Sequence, residues 1–292
     1  LLAEEIAQQN HLPWLAHFSD PWSDNPYLRG LSSQQKESVQ QMERGVVLAA
    51  DKLVFTNQPT VDLVMAKYSP VNKQKASIIP HGFDLFKLQE LPLTQFKKNP
   101  AKLTLLHLGN IYGIRSPLAI FEALELLKDE KHIFDDLDMA FVGAVSKKGH
   151  WLKLIRQKGI AVGVRFEDRV GYLQSLSIGR QADVLITLDA PSDNESVFLP
   201  SKLVEYLSLN TVILGITPAK GVSADLLRSL HMPIAHPQDA RQIADAIRDL
   251  HTQWKQGKLA FDWQRSQIAK SYEIEATTDK LESALLNMVE AG

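Results

Sequence analysis

Short apolar runs alternate along the chain with longer stretches in which apolar residues recur every three or four positions. The runs at Leu12–Phe18, Lys52–Thr56 and Ala76–Ile79 predict strands, as do Leu103–Leu108, Met139–Val142, Val164–Phe166, Val184–Leu188 and Val212–Gly215. The longer stretches predict helices. Residues 1–10 read as the end of one, and Val39, Met42, Val46 and Ala49 recur at helical spacing behind Ser32 and Gln35, a capping-box pair. Pro59 opens a helix reaching Lys67, and others fall near 117–128, 149–158, 172–181, 201–208 and 239–256. A last helix at 274–290 carries an apolar stripe of Ile274, Leu281, Leu285, Met288 and Val289. Strands alternating with helices of this length predict mostly parallel sheets.

The rhythm breaks once, at residues 85–100, which hold Pro92, Pro100, Lys97 and Lys98 and show no period. The break divides the chain into two βα series. The expected fold is therefore α/β, with two Rossmann-like domains and a cleft between them. Residues 1–86 form the first, 87–100 a linker and 101–272 the second, with the helix at 273–292 packing back on the first. The chain opens Leu1-Leu2-Ala3, without methionine and as if inside a helix. The expectation is that a segment precedes it and that the first domain is incomplete.

Composition narrows the function classes. Of 292 residues, 45% are hydrophobic and 23% charged, which suits ordinary soluble cores, and the net charge of −2 offers no basic excess for nucleic acid. The basic pairs Lys97–Lys98 and Lys147–Lys148 read as solvated surface. There is no cysteine, so disulfides and thiolate metal sites are excluded. No apolar run approaches the roughly 18 residues of a spanning helix, and no signal peptide is visible. A cytoplasmic location is expected, with peripheral contact to the inner membrane face as the alternative.

Ligands of open parallel sheets bind at the carboxyl ends of strands, and two such ends carry candidate chemistry. The first runs His107-Leu108-Gly109-Asn110-Ile111-Tyr112-Gly113-Ile114-Arg115-Ser116-Pro117. Ser116 can cap the next helix and Pro117 suits its first position; helix-start amides attract anions and Arg115 adds a fixed positive fork. The same residues also fit a plain βα turn with a surface arginine. The second end is the long loop from Leu188-Asp189 to Leu199, followed by Pro200-Ser201-Lys202-Leu203-Val204-Glu205-Tyr206-Leu207. Leu203, Val204 and Leu207 form the buried stripe of that helix, while Lys202 and Glu205 share another face. A lysine in a first helical turn opposes the helix dipole, and an anionic ligand would satisfy both. Pairing with Asp193 or Glu195, or plain solvation, is the alternative.

Other signals are weaker. Asp136-Leu137-Asp138 matches an Asp-x-Asp metal motif but precedes its apolar strand, which reads as a solvated turn. The nine histidines show no metal-ligand spacing. No dinucleotide fingerprint, Walker loop or nucleophile elbow occurs.

Together these segments resemble the retaining GT-B glycosyltransferases of family 4. Ile79-Pro80-His81-Gly82-Phe83-Asp84 is similar to the Ile-Pro-x-Gly-Val-Asp signature that ends the family's first domain, and Leu108-Gly109 through Arg115 to its glycine loop. Pro200 through Leu207 is similar to its Pro-x-Lys-x-x-Glu-Tyr-Leu variant, and Val170 with Ala182-Asp183-Val184 to the run around the base pocket. The resemblance implies transfer of a sugar from a nucleotide-diphosphate sugar, with retention and without metal or cofactor, to a polysaccharide, glycan or lipid-linked acceptor of the cell envelope. Glu205 would hold the ribose. Arg115, Lys202 and the backbone near Gly109 would neutralise the diphosphate, with Asn110, Pro200 and Ser201 beside them. Backbone near Arg169 and Val170 would meet the base. His17 and Asp20 end a strand of the first domain, and Asp20 would face the transferred sugar or the acceptor, or else form an Asx turn before Pro21. Two departures stand out. Family spacing puts Val197 where a first glutamate is usual, with Glu195 two residues off, and Asn110 stands where arginine is common. These departures keep open a non-catalytic nucleotide-sugar-binding protein and a nucleotide-sugar epimerase on the same fold. With its acceptor side incomplete, this chain is expected to bind nucleotide without transferring sugar.

Overall fold

The computed structural model describes residues 2–25, 28, 30–191 and 195–290. In chain order the first part runs α1 (Leu2–Asn10), β1 (Leu15–Phe18), α2 (Ser33–Ala49), β2 (Lys52–Phe55), α3 (Gln58–Met65), α4 (Pro70–Lys73) and β3 (Ala76–Ile78). The second part follows with β4 (Leu103–Leu108), α5 (Leu118–Leu127), α6 (Lys131–Phe134), β5 (Leu137–Val142), α7 (Lys148–Gln157), β6 (Val164–Glu167), α8 (Tyr172–Gly179) and β7 (Val184–Leu188). It continues through α9 (Ser201–Leu207), β8 (Val212–Ile216), α10 (Val222–Ser229), β9 (Ile234–Ala235), α11 (Ala240–Lys255) and α12 (Gln267–Lys270), and the chain closes with α13 (Ile274–Glu290). Two units result. One holds residues 1–82, 197–199 and 271–292; the other holds 83–196 and 200–270.

In the first unit, β1, β2 and β3 pair in parallel in that order, so β1 lies at an edge of the three strands. The capping box of α2 forms: Ser32 Oγ accepts from the Gln35 amide at 3.3 Å, and Gln35 Oε1 from the Ser32 amide at 2.9 Å. Asn57 caps α3, accepting from the Thr60 amide at 2.8 Å, with Pro59 in the first turn where its missing N–H costs nothing. The core joins Phe18, Val47, Leu53, Phe55, Val64 and Met65, with the rings of Phe18 and Phe55 stacked at 5.0 Å. Each such side chain contributes roughly 1.5–3 kcal/mol by leaving water. α13 brings Ala284 onto Val54 and Ile79 of this unit.

A buried carboxylate fixes the loop after β1. Glu43 on α2 is fully buried and accepts from Lys67 Nζ at 2.6 Å, Tyr68 Oη at 2.9 Å and the Ser23 amide at 2.7 Å. Burial pushes its carboxyl up, but these three donors outweigh that and hold it below the usual range.

In the second unit, six parallel strands run in the order β6-β5-β4-β7-β8-β9. Every residue of β4, β7 and β8 is buried, the mark of central parallel strands covered on both faces. Successive strands move outward from β4 in one direction through β6, and in the other from β7 through β9. The sheet therefore changes direction between β4 and β7, the switch point at which such sheets bind ligands.

The stretch read as a linker, 87–100, runs along this second unit, and so does Phe83 ahead of it. Phe83 meets Trp263 edge-on at 5.2 Å, the Pro92 carbonyl accepts from Ser177 Oγ at 2.7 Å, Arg165 covers the Phe96 ring at 4.3 Å, and Lys98 pairs with Asp183 at 2.6 Å. These tertiary partners, invisible in a local pattern, give residues 83–100 their order. Asp136 and Asp138 are not a solvated turn: His251 and Lys255 hold Asp136 at 2.9 and 2.6 Å, and Arg165 holds Asp138 at 2.9 Å. Pro117 precedes the first residue of α5 rather than occupying it, and Ser116 Oγ accepts from the Leu118 amide at 3.2 Å.

Candidate functional site

The switch point of the second unit is built from the ends of β4 and β7 and the start of α9. β4 ends at Leu108, and Gly109 follows with φ of +126°, a conformation open to glycine. A side chain there would also collide with the Lys202 ammonium group. Gly143, at the end of β5, has φ of +143°, and a Cβ on it would meet the Gly109 carbonyl oxygen at 2.5 Å. Two backbones thus pack where any side chain would separate them. Beyond Gly109 the loop is tied to the turn after β5: Asn110 Oδ1 accepts from the Ala144 amide at 3.0 Å, and the Ile111 amide donates to the Ala144 carbonyl at 2.9 Å.

α9 contributes three side chains from two successive turns. Lys202 Nζ donates to the Leu108 carbonyl at 2.9 Å. Tyr206 Oη donates to the same carbonyl and accepts from the Leu108 amide, each at 3.1 Å, so the last residue of β4 is clamped from both sides of its peptide. Glu205 lies one turn from Lys202 and accepts a hydrogen bond from Tyr172, the first residue of α8. Lys87 stands over the Tyr172 ring at 5.2 Å.

A chamber of about 20 Å³ lies among these elements, lined by His107, Asn110, Arg115, Thr187, Pro200 and Lys202, together with Ile111 and Leu188. Its electrostatics follow from burial and from two neighbouring cations. Burial, then the nearby Arg115, brings the Lys202 amine down to about 8, against the opposing pull of Glu205 and Asp189. Burial, then Lys202, brings His107 down to about 3, so that its ring is neutral at ordinary pH. Burial raises Asp189, which accepts from Thr217 Oγ1 at 2.8 Å, and burial likewise raises Glu205. The chamber can receive an anion: the Lys202 ammonium and the Arg115 guanidinium sit next to amides at the start of a loop and a helix.

Of the residues expected to act together, Gly109, Asn110, Arg115, Pro200 and Lys202 meet around this chamber, and Glu205 stands one helical turn away. Ser201 is exposed at the start of α9. Arg169 and Val170 lie on the loop between β6 and α8, the arginine exposed, and neither lines the chamber. Asp20 belongs to the first unit, on the loop after β1, where it and His17 act electrostatically on His81. It helps line a hollow of about 690 Å³ with Trp14, His17 and Trp22. Asp193, the alternative partner for Lys202, lies outside the described residues. Asp183 accepts from the Thr104 amide at 2.9 Å and from Lys98, a structural tie at the start of β4. Among the described residues no group of three or more His, Asp or Glu is placed to hold a metal ion, and no helix is long and apolar enough to cross a membrane.

Sequence reasoning missed His107, Thr187, Tyr206, Tyr172 and Asp189 as parts of the site. One signal was readable: a histidine within the largely apolar Leu103–Leu108 strand is a buried polar group, which demands a partner.

No family model matches the chain, and no curated protein matches it in sequence. Solved structures do match in fold. HepE of Anabaena in complex with UDP is 12% identical, covering 97% of this chain and 75% of that one at a TM-score of 0.71. Sucrose-phosphate synthase of Thermosynechococcus elongatus is 15% identical, covering 99% and 71% at 0.72. A glycosyltransferase of Rickettsia africae is 13% identical, covering 100% and 80% at 0.69. At these identities the likeness establishes architecture: an α/β fold with the parallel sheets of two Rossmann-like domains, as in GT-B glycosyltransferases.

Proposed function

We propose that this chain is a glycosyltransferase that takes a sugar from a nucleotide-diphosphate sugar and passes it, with retention of configuration and without a metal, to a sugar, glycan or lipid-linked acceptor. The observation that carries the reading is the placement of Lys202 and Arg115 around the Gly109 turn at the sheet's switch point, with Glu205 one helical turn away. When the glycosidic bond to phosphate breaks, negative charge grows on the departing diphosphate. Fixed cations and backbone amides aimed at that charge stabilise it more than they stabilise the intact donor, which is what lowers a barrier. A divalent metal would serve the same purpose elsewhere; here the two side-chain cations supply the charge. Glu205 accepts from Tyr172 with one part of its carboxylate and has further lone pairs for two vicinal ribose hydroxyls. Arg169 and Val170 are assigned to the base side, and Asp20 to the transferred sugar or acceptor. Fold neighbours include HepE with UDP-glucose, and GtfA, a pneumococcal O-GlcNAc transferase, with UDP and GlcNAc, which supports a nucleotide-sugar donor.

A second reading, a nucleotide-sugar-binding protein without turnover, is favoured by one observation. Val197 stands where a carboxylate would be expected, and its carbonyl is engaged by Asn57 Nδ2 at 3.0 Å and Thr60 Oγ1 at 3.2 Å. One experiment separates the readings. The protein is screened by thermal shift against nucleoside diphosphates and their sugars, then incubated with any binding donor and candidate acceptors, and the products are read by mass spectrometry. A glycosylated acceptor with unchanged anomeric configuration supports transfer. Binding without product supports the second reading, and an isomerised donor would overturn both.

A further inference from the structure

The chamber at the switch point contains two buried polar atoms that its cations do not explain. His107 is 2% exposed and Thr187 1% exposed, and both line the chamber. His107 Nε2 and Thr187 Oγ1 have no hydrogen-bond partner. The protonation of the histidine follows from its other nitrogen. Nδ1 lies 3.0 Å from the Ile186 carbonyl oxygen, which can only accept, so Nδ1 carries the hydrogen. The ring is buried beside Lys202 and Arg115 and stays neutral, leaving Nε2 a bare lone pair. That lone pair can accept but cannot donate, and Thr187 Oγ1 can do either.

A fully ionised phosphate satisfies the two cations but not His107, because its oxygens would face a lone pair with lone pairs. A phosphate oxygen that carries a hydrogen satisfies both. About 20 Å³ is room for one water-sized oxygen, not for a sugar ring. We infer that this chamber seats the protonated oxygen of a terminal phosphate, donating to His107 Nε2, so that the site selects a nucleoside diphosphate in its monoprotonated form over the corresponding nucleotide sugar. The sugar ester has no such hydrogen to give, because its terminal phosphate is a diester. The inference rests on the nucleotide-sugar reading and extends it: His107 becomes the residue that tells product from donor. Water offers the same O–H and fits the same volume, and the experiment distinguishes the two sources.

Among the described residues, the charged and titratable groups around the chamber are Arg115, Lys202, Asp189, Glu205 and Tyr206. Lys202 titrates near 8 and acts on both ligands, so the ratio of their affinities removes its effect. The full chain is titrated calorimetrically with UDP, GDP and ADP, and with UDP-glucose, GDP-glucose and ADP-glucose, at three pH values from 6 to 8. The second ionisation of a phosphate monoester falls near pH 6. Between pH 7 and 8 the affinity for the diphosphate relative to its glucose ester should therefore fall about tenfold. Cations alone give the opposite sign, a ratio that rises from pH 6 to 7 and then levels. His107→Phe, which removes the lone pair, should abolish the fall; if that variant does not fold, the wild-type profile alone decides. A flat or rising wild-type ratio leaves only water on His107 and overturns the inference while the nucleotide-sugar reading stands. No binding of any of the six ligands overturns both.

Discussion

If Lys202 holds the nucleotide as proposed, it does so at the expense of the fold, and Lys202→Met tests that directly. The fall of its amine from 10.5 to about 8 corresponds to roughly 3 kcal/mol by which folding disfavours the charged form, at about 1.4 kcal/mol per pH unit. Methionine keeps the length of the stem and removes the charge. The variant loses the bond to the Leu108 carbonyl, a charge-assisted interaction of about 1.5–3 kcal/mol. That carbonyl is not orphaned, because Tyr206 Oη also donates to it. At pH 7 the expected balance runs from neutral to about 2 kcal/mol more stable, a rise of up to several degrees in Tm at roughly 2–4 °C per kcal/mol. The sign of the pH dependence follows from proton counting. Between about 8 and 10.5 the unfolded lysine holds a proton that the folded one has released, so wild-type stability gains on the variant as pH rises through that window. Nucleotide affinity should move the other way, falling tenfold to a hundredfold in the variant as a charged contact of about 1.5–3 kcal/mol is lost. Urea unfolding at pH 7 and 10 with calorimetric titration of the nucleotide checks all three. A variant destabilised by more than about 1 kcal/mol at pH 7, with its affinity intact, would show that the lysine is structural.

Glu205→Gln should weaken nucleotide binding tenfold or more, about 1.4 kcal/mol, and should remove most of the preference for a ribonucleotide over its 2′-deoxy analogue; equal affinities in a folded variant refute the ribose role. Gly109→Ala should unfold at a lower temperature and bind nucleotide poorly, because φ of +126° strains alanine and the new methyl falls on the Lys202 ammonium; a crystal structure with Lys202 unmoved would contradict this. Glu43→Gln should destabilise the first unit by about 2–3 kcal/mol, since a carboxylate with three donors loses its charge, and urea unfolding reads the loss. The contribution of Glu43 is present above its unfolded range and disappears as pH falls through its lower folded value, so wild type and variant should converge in acid. Chelation with EDTA should leave nucleotide affinity unchanged, as measured by calorimetry with the ligand found in the thermal-shift screen.

The sheet of the second unit was legible because burial on both faces writes itself as near-continuous apolar runs, as in Leu103–Leu108 and Val184–Leu188, interrupted at Thr104, His107 and Thr187. Lys202 and Glu205 were legible because a lysine in a first helical turn is locally unfavourable and asks for a reason. Other elements left no such trace. β9 is two residues, too short for a period, and α10 follows Gly221 in a stretch read without a helix. β1 begins at Leu15 instead of Leu12, since Pro13 has no N–H to give a ladder and the Trp14 carbonyl accepts from the Asp51 amide at 2.9 Å. Tyr206 was passed over for the buried stripe of α9 because a tyrosine is amphipathic. Its burial makes sense only beside the Leu108 peptide, 98 residues away in sequence. Asp189 and Thr187 share that reason: each takes its meaning from a strand neighbour or a facing helix that no local pattern encodes.

The free site is a place where the fold accepts electrostatic imbalance. Arg115 stands close enough to disfavour the charge of Lys202, and the two nearby carboxyls, Asp189 and Glu205, are themselves pushed toward their neutral forms by burial. Such a cluster would reorganise or fill with side chains if it sat on a mobile loop. Here it is bounded by the ends of two central strands whose residues are wholly buried, and the Leu108 peptide is held on both its N–H and C=O by Tyr206. The surrounding apolar layers supply the stability that the cations subtract. Because the Lys202 ammonium is already largely buried and held by the Leu108 carbonyl, a diphosphate arriving as proposed would meet a cation with little hydration left to give up, and the interaction would be stronger than the same charge provides in water. Strained charge on a rigid floor is what distinguishes this switch point from an ordinary βα turn.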